Sequence, residues 1–387
     1  MQCVIINPKN QKENMRKLYV AVYSLILFFS LCPFQSLRAE TQASPTKEWT
    51  FLIYLNGNNN LDRFGDLNIN QMEEVGSTDK INIIVQRASI RSKQTQRMLI
   101  AQDKNSTQIT SPVLQSLDNV DMGDWRSLVD FVKWGVENYP AQRYFIDVWN
   151  HGSGWRAPGM KLASLDGIFP SLNPQIMDIS FDDKTSNAIS TEQLGLAMAE
   201  SAKIIGHKVD LYASDACLMA MVEVADQLSD SVEIFGGSEE LEPGAGWPYH
   251  KFLQRWTARA STSAAELGVM LTEEYVKSYS AGGVYGPNNA TFSVFDLSKM
   301  SGVTDAMSAF GKEILRLGAE SKKKVAQSVL QTQTFAYSDY ADLLDFLKKI
   351  ESAKIEGLGV ETLDPVRAAL SPFILANRTT PLYTKAQ

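Results

Sequence analysis

Short, almost wholly apolar runs, recurring between stretches of helical spacing, constrain this chain more than any other feature. TFLIYL (50–55), INIIVQ (81–86), YFIDVW (144–149), VDLYA (209–213) and EIFGG (233–237) are each five or six residues long. Strands that are apolar at nearly every position, rather than at alternate ones, are buried on both faces, as in a parallel sheet covered by helices. Amphipathic stretches lie between them: one from the loop at Asn56 to about Val75, WRSLVDFVKWGVEN (125–138), a helix over 191–203 with Thr191 as its N-cap, and two more near 249–257 and 262–280. RMLIA (97–101) reads as a neighbouring strand and ATFSVFDL (290–297) as a last one. Alternation of this kind predicts an α/β fold in three layers with a mostly parallel sheet. Residues 45–300 form that domain, and 301–387 read as a helical carboxyl-terminal segment (302–318, 321–352).

The first 39 residues follow a different logic. Lys9, Lys12, Arg16 and Lys17 precede a fifteen-residue apolar run from Leu18 to Cys32, followed by Pro33 and polar residues. A membrane span needs about 20 apolar residues, so the pattern predicts a secretory signal peptide, with Ala39 and Ala43 as cleavage points. The alternative is an uncleaved anchor. A lipid on Cys32 is disfavoured by the bulky Leu31 before it. Signal removal shifts the formal net charge from −7 to −11 and leaves no basic cluster able to follow a phosphate backbone, which argues against nucleic-acid binding. An acidic surface favours cationic partners. It also removes Cys3 and Cys32, so Cys217 is the one cysteine of the mature chain. A lone thiol cannot form an internal disulfide; it is either a small buried hydrophobe or a reactive group.

Ligands of open α/β sheets sit beyond the carboxyl ends of the strands. His151 follows YFIDVW by two residues and Cys217 follows VDLYA by four, which places both on one rim with their strands side by side. A helix beginning directly at Cys217 would stabilise a thiolate and lower its pKa. Gly152 and Gly154 leave the backbone open to close approach, and the N–H groups of Gly152 and Cys217 are candidate oxyanion donors. Singly, Cys217 reads as a buried structural thiol and His151 as a turn residue; on one rim together they read as a nucleophile and its partner. His207 and His250 read as structural. A serine hydrolase is disfavoured by the absence of a Gly-x-Ser-x-Gly elbow, and a structural zinc site by the single cysteine. Asp215 has a bland reading as a helix N-cap.

WNHGSGW (149–155), SDACLMAMVEVADQL (214–228), SEELEPGAGWPY (238–249) and YLNGNNNLD (54–62) resemble the clostripain family of cysteine peptidases over roughly residues 48–300. The resemblance implies a caspase-like fold and a His151–Cys217 dyad without an obligatory third member. It further implies cleavage of protein or peptide substrates after Arg or Lys, with Asp215 facing the basic side chain. Calcium dependence occurs in the family, but no loop here matches a dedicated calcium pattern, and the metal stays open. Ala245 stands where relatives often carry Asp; Glu239, Glu240 and Glu242 are the nearby acids. Relatives run on past the helical segment into another strand, whereas a polar tail to Gln387 is expected here. Maturation by internal cleavage is implied, in the 156–190 loop at Arg156, Lys161 or Lys184. The rival expectation is a catalytically silent surface or periplasmic binding protein on the same scaffold.

Overall fold

The computed structural model describes residues 46–155 and 178–383. The expected leader (1–39) and residues 156–177 of the expected loop lie outside the described residues. The chain runs through β1 (Lys47–Gly57), α1 (Asp62–Glu73), β2 (Ile81–Ser89), β3 (Gln94–Leu99), β4 (Val113–Asp118), α2 (Trp125–Asn138) and β5 (Ala141–Trp149). A small hairpin, β6 (Ile179–Asp182) and β7 (Asn187–Ile189), leads into α3 (Thr191–Ile205), β8 (Val209–Asp215), α4 (Val222–Leu228) and β9 (Val232–Gly237). There follow α5 (Tyr249–Thr257), α6 (Ala264–Ser278), β10 (Thr291–Asp296), α7 (Met300–Arg316), α8 (Ala319–Gln331), α9 (Leu343–Ser352), α10 (Val360–Phe373) and β11 (Ile374–Thr379).

Nine strands form one sheet in the order β11-β10-β9-β8-β5-β1-β2-β3-β4. β9, β8, β5, β1 and β2 pair in parallel, and β3 and β10 run against their neighbours. The two-residue period of a strand explains the layers. β1 sends Trp49, Phe51, Ile53 and Leu55 to one face, where they meet Ile69 of α1, Trp256 of α5 and Leu267 of α6. Leu52 and Tyr54 go to the other face, against Phe131 of α2, Leu194 of α3, Val224 of α4 and Leu370 of α10. Phe51 stacks on Phe145 at 4.4 Å between ring centroids and is fully buried, so Phe51→Ala would cost about 3–5 kcal/mol.

Four local expectations are corrected. The helix after Cys217 starts at Val222, because Leu218 turns into the left-handed region (φ 65°) and the intervening backbone bonds outward, Leu218 N–H to Glu240 O and Ala220 N–H to Ser238 O. The N-cap of α3 is Ser190 rather than Thr191, in a reciprocal capping box with Gln193 that leaves Thr191 as the first helical residue. β4 was not expected; VLQSLD is a mostly exposed edge strand and lacks the apolar run of its neighbours. Finally, the tail is not merely polar. α10 leads directly into β11, which pairs antiparallel with β10.

Candidate active site

In the parallel β5–β8 pair, Trp149 lies opposite Asp215. His151 and Cys217 therefore each stand two residues beyond a matched position, on the rim where the carboxyl ends of β1, β5 and β8 open. Both line one pocket of about 240 Å³ together with Asn60, Trp149, Asp215 and Glu242. The loops are close enough to need glycine. A Cβ on Gly152 would come 2.4 Å from the Cys217 carbonyl oxygen, and one on Gly154 (φ 68°) 2.3 Å from Met221 Sδ. The close approach that the glycines permit is thus of one site loop to the other.

The β6–β7 hairpin and the asparagine-rich turn after β1 hold this rim. Ser180 N–H donates to His151 O at 3.3 Å and Ser153 N–H to Asp178 O at 2.8 Å. Asn150 accepts from Phe181 N–H at 2.7 Å and donates to Asn56 O at 2.5 Å. Asn58 and Asn59 tie the turn to Asp182 and to Phe181 O. Asn60 reaches the site itself, with its Oδ1 2.7 Å from His151 Nε2.

His151 is 7% exposed, and burial pushes its pKa down to about 4, so the imidazole is neutral at neutral pH. Burial pushes the Cys217 thiol up to about 11; the Glu242 N–H opposes this, and the nearby Asp215 and Glu240 reinforce it. The expected depression is therefore corrected: the helix start is five residues away, and the surroundings are apolar and acidic. The resting pair is a neutral thiol and a neutral imidazole. Glu242 N–H donates to Sγ at 3.2 Å.

Asp215 ends β8 and caps no helix. Its Oδ2 accepts from Trp247 N–H at 3.1 Å and contacts the Tyr249 hydroxyl at 2.9 Å. Gly246 (φ 62°) lets the chain pass, since a Cβ there would lie 2.7 Å from Oδ2. Burial raises the Asp215 pKa to about 6. The three glutamates separate clearly. Glu240 is committed to Leu241 N–H, Ala336 N–H and the Tyr383 hydroxyl. Glu239 faces a different cavity, shared with Asp342 and Ser293. Glu242 lines the pocket beside Asp215, whereas Ala245 is not part of that lining.

His207 is exposed, with Nδ1 2.7 Å from Lys208 O, and His250 sits at the start of α5; neither lines the pocket. Among the described residues no group of three or more His, Cys, Asp or Glu side chains is arranged to hold a metal ion.

The sequence profile of the clostripain family matches residues 53–356. The chain belongs to the clostripain family. It is a cysteine endopeptidase. Clostripain of Hathewaya histolytica is 25% identical over 401 aligned positions, covering 87% of this chain and 72% of that protein. An inactive zymogen C11 protease from Parabacteroides distasonis superposes with a TM-score of 0.63 at 18% identity, covering 87% of this chain and 85% of the other. A secreted C11 cysteine protease from Bacteroides thetaiotaomicron, solved with an irreversible peptide inhibitor, gives 0.61 at 21%, covering 86% and 85%. At these identities the structural likeness speaks for the fold, a mixed α/β architecture around a mostly parallel sheet. Among the described residues of this clostripain-family chain, no helix is long and apolar enough to cross a membrane.

Asn60 and Glu242 line the pocket without a sequence signal of their own: nothing separates Asn60 from the other asparagines of YLNGNNNLD, or Glu242 from Glu239 and Glu240.

Proposed function

We propose that this clostripain-family peptidase is exported and cuts after Arg or Lys, with Cys217 as nucleophile and His151 as its proton partner. The observation that carries this is one pocket whose lining holds the thiol, the imidazole and the buried Asp215 and, among the described residues, no Lys or Arg. Because both groups rest neutral, the Sγ–H proton passes to His151 as sulfur attacks the scissile carbonyl. The N–H groups of Gly152 and Cys217 are assigned to the developing oxyanion. The C–N bond then breaks, the imidazolium returns its proton to the leaving amine, and a thioester remains on Cys217. Water, deprotonated by His151, hydrolyses the thioester and frees the acid product. Asp215 meets the basic side chain before the cut. Cys217→Ala and His151→Ala should each lower turnover roughly a thousandfold or more, with the double variant little worse. A peptide-library cleavage profile tests the specificity, and a profile indifferent to Arg and Lys would sink it.

Export rests on the leader of residues 1–39, and amino-terminal sequencing of extracellular protein should start after Ala39 or Ala43. Maturation by self-cleavage also belongs to this reading. Of its three basic positions, Lys184 is held by Ser89 O and Ser92 O, so Arg156 and Lys161, outside the described residues, are the sites assigned, Lys161 first. Intact mass of the wild type should show a cut that Cys217→Ala lacks; an uncut, fully active wild type would contradict it.

A further inference from the structure

The pocket holds more carboxyl groups than its own donors can satisfy. The Tyr249 hydroxyl lies 2.7 Å from Asp147 Oδ2 and 2.9 Å from Asp215 Oδ2. One hydroxyl has one proton to give, so it cannot satisfy both carboxyls fully. Asp147 is fully buried, and burial followed by the Asp215 charge lifts its pKa well above the ordinary carboxylate range, which favours its protonated form. Glu242 poses the same problem from the other side. Among the described residues, both of its oxygens are shielded from solvent and accept no hydrogen bond from any N–H or O–H. Burial, followed by the Asp215 charge, lifts its pKa well above the ordinary carboxylate range, and two carboxyls sharing one buried site hold a proton between them more readily than two charges. Native structures seldom leave such atoms without a partner, and these two line the same pocket as Cys217 and His151.

We propose that Glu242, rather than residue 245, is the second acidic specificity residue of the basic pocket, and that an entering guanidinium or ammonium displaces the proton it shares with Asp215. This rests on the reading that Asp215 faces the substrate's basic side chain. Among the described residues, the groups around the pair offer no competing cation: Asp147 from β5, Cys217 after β8, the phenols of Tyr249, Tyr275 and Tyr279 from α5, α6 and the turn after it, and Tyr285 beyond. His151, in the same pocket, rests neutral. A cation therefore meets a pair that becomes doubly charged as it binds. The sign follows. Since binding a basic side chain releases a proton, its affinity rises with pH until the pair is ionised without help, while a neutral side chain gains nothing.

The test is calorimetry of agmatine, a decarboxylated arginine, binding to full-length Cys217→Ala protein in two buffers of different ionisation enthalpy at neutral pH. Release of about one proton per agmatine is expected. Adding Glu242→Gln should abolish the release and weaken binding by about tenfold or more; Glu242→Asp should retain the release. The Glu242 N–H that meets Cys217 belongs to the backbone, so these changes leave it in place. Unchanged release and affinity in Glu242→Gln, with binding lost in Asp215→Asn, would leave the basic pocket standing and overturn the role of Glu242. Undiminished agmatine binding in Asp215→Asn would instead remove the basic pocket itself. Should the Glu242 variants fail to fold, the wild-type enzyme alone decides: KM for Arg substrates must fall with rising pH relative to a matched neutral substrate, and parallel profiles would refute the proposal.

Discussion

Asn60 Oδ1 lies 2.7 Å from His151 Nε2 and so fixes that edge of the ring. It is a positioning residue, and its removal should lower kcat about tenfold to a hundredfold while sparing KM. Asn60→Asp separates orientation from bulk. A carboxylate beside the ring favours imidazolium, so the His151 pKa rises from about 4 and the acid limb of the kcat/KM profile moves up by about one pH unit or more. An unmoved limb with unchanged kcat would make Asn60 an ordinary loop residue. Gly152→Ala should be worse than either, because its new Cβ would lie 2.4 Å from Cys217 O; a correctly folded, fully active Gly152→Ala protein would contradict the loop geometry. The rim positions of His151, Gly152, Asp215 and Cys217 were legible in the sequence because each sits within three residues of a strand end, and strand ends are readable from apolar runs. Asn60 and Glu242 lie in loops whose return path is set by tertiary contacts. The upward shift of the Cys217 pKa is not legible for a related reason: the left-handed Leu218 that delays α4 leaves no mark in an apolar segment.

The carboxyl-terminal elements brace both site loops. Tyr340, before α9, donates to Ser153 O at 2.5 Å and also contacts Trp155 O at 3.2 Å. Ala336 N–H and the Tyr383 hydroxyl converge on Glu240, in the loop that carries Glu242. Tyr340→Phe should therefore cost about 1 kcal/mol in stability, the net worth of a hydrogen bond, and lower kcat together with it. A loss of stability with no change in kcat would show that the brace does not reach the chemistry. Little of this was legible. α10 contains Pro365 and Pro372, which ordinarily argue against a helix interior, and ILANRT of β11 is short and half-exposed. Its place in the sheet is decided by β10, whose paired residues lie 79 to 88 positions earlier in the chain (Phe295 with Ile374, Thr291 with Thr379). The inner strands were legible because burial on both faces writes itself as continuous apolar sequence.

Over the whole molecule, burial of acids sets the pH response. Glu239 is raised to about 8 by burial, then by Asp342 and Glu240, and one of its oxygens has no hydrogen-bond partner. A carboxyl whose folded pKa lies above its unfolded one favours the fold while protonated, and that advantage is lost as pH climbs from the ordinary carboxyl range through about 8, at about 1.4 kcal/mol per unit. Denaturant unfolding should show the protein more stable at mildly acidic than at mildly alkaline pH, and Glu239→Gln should flatten the slope; equal slopes would assign it to other groups. The central claim, that Cys217 is the nucleophile served by His151, is tested most directly by intact mass and peptide mapping after brief exposure to an arginyl acyloxymethyl ketone at neutral pH. The expected result is one adduct per chain, on Cys217, formed slowly in His151→Ala and absent from Cys217→Ala. An unmodified Cys217 in a preparation that still cleaves peptides would contradict the claim.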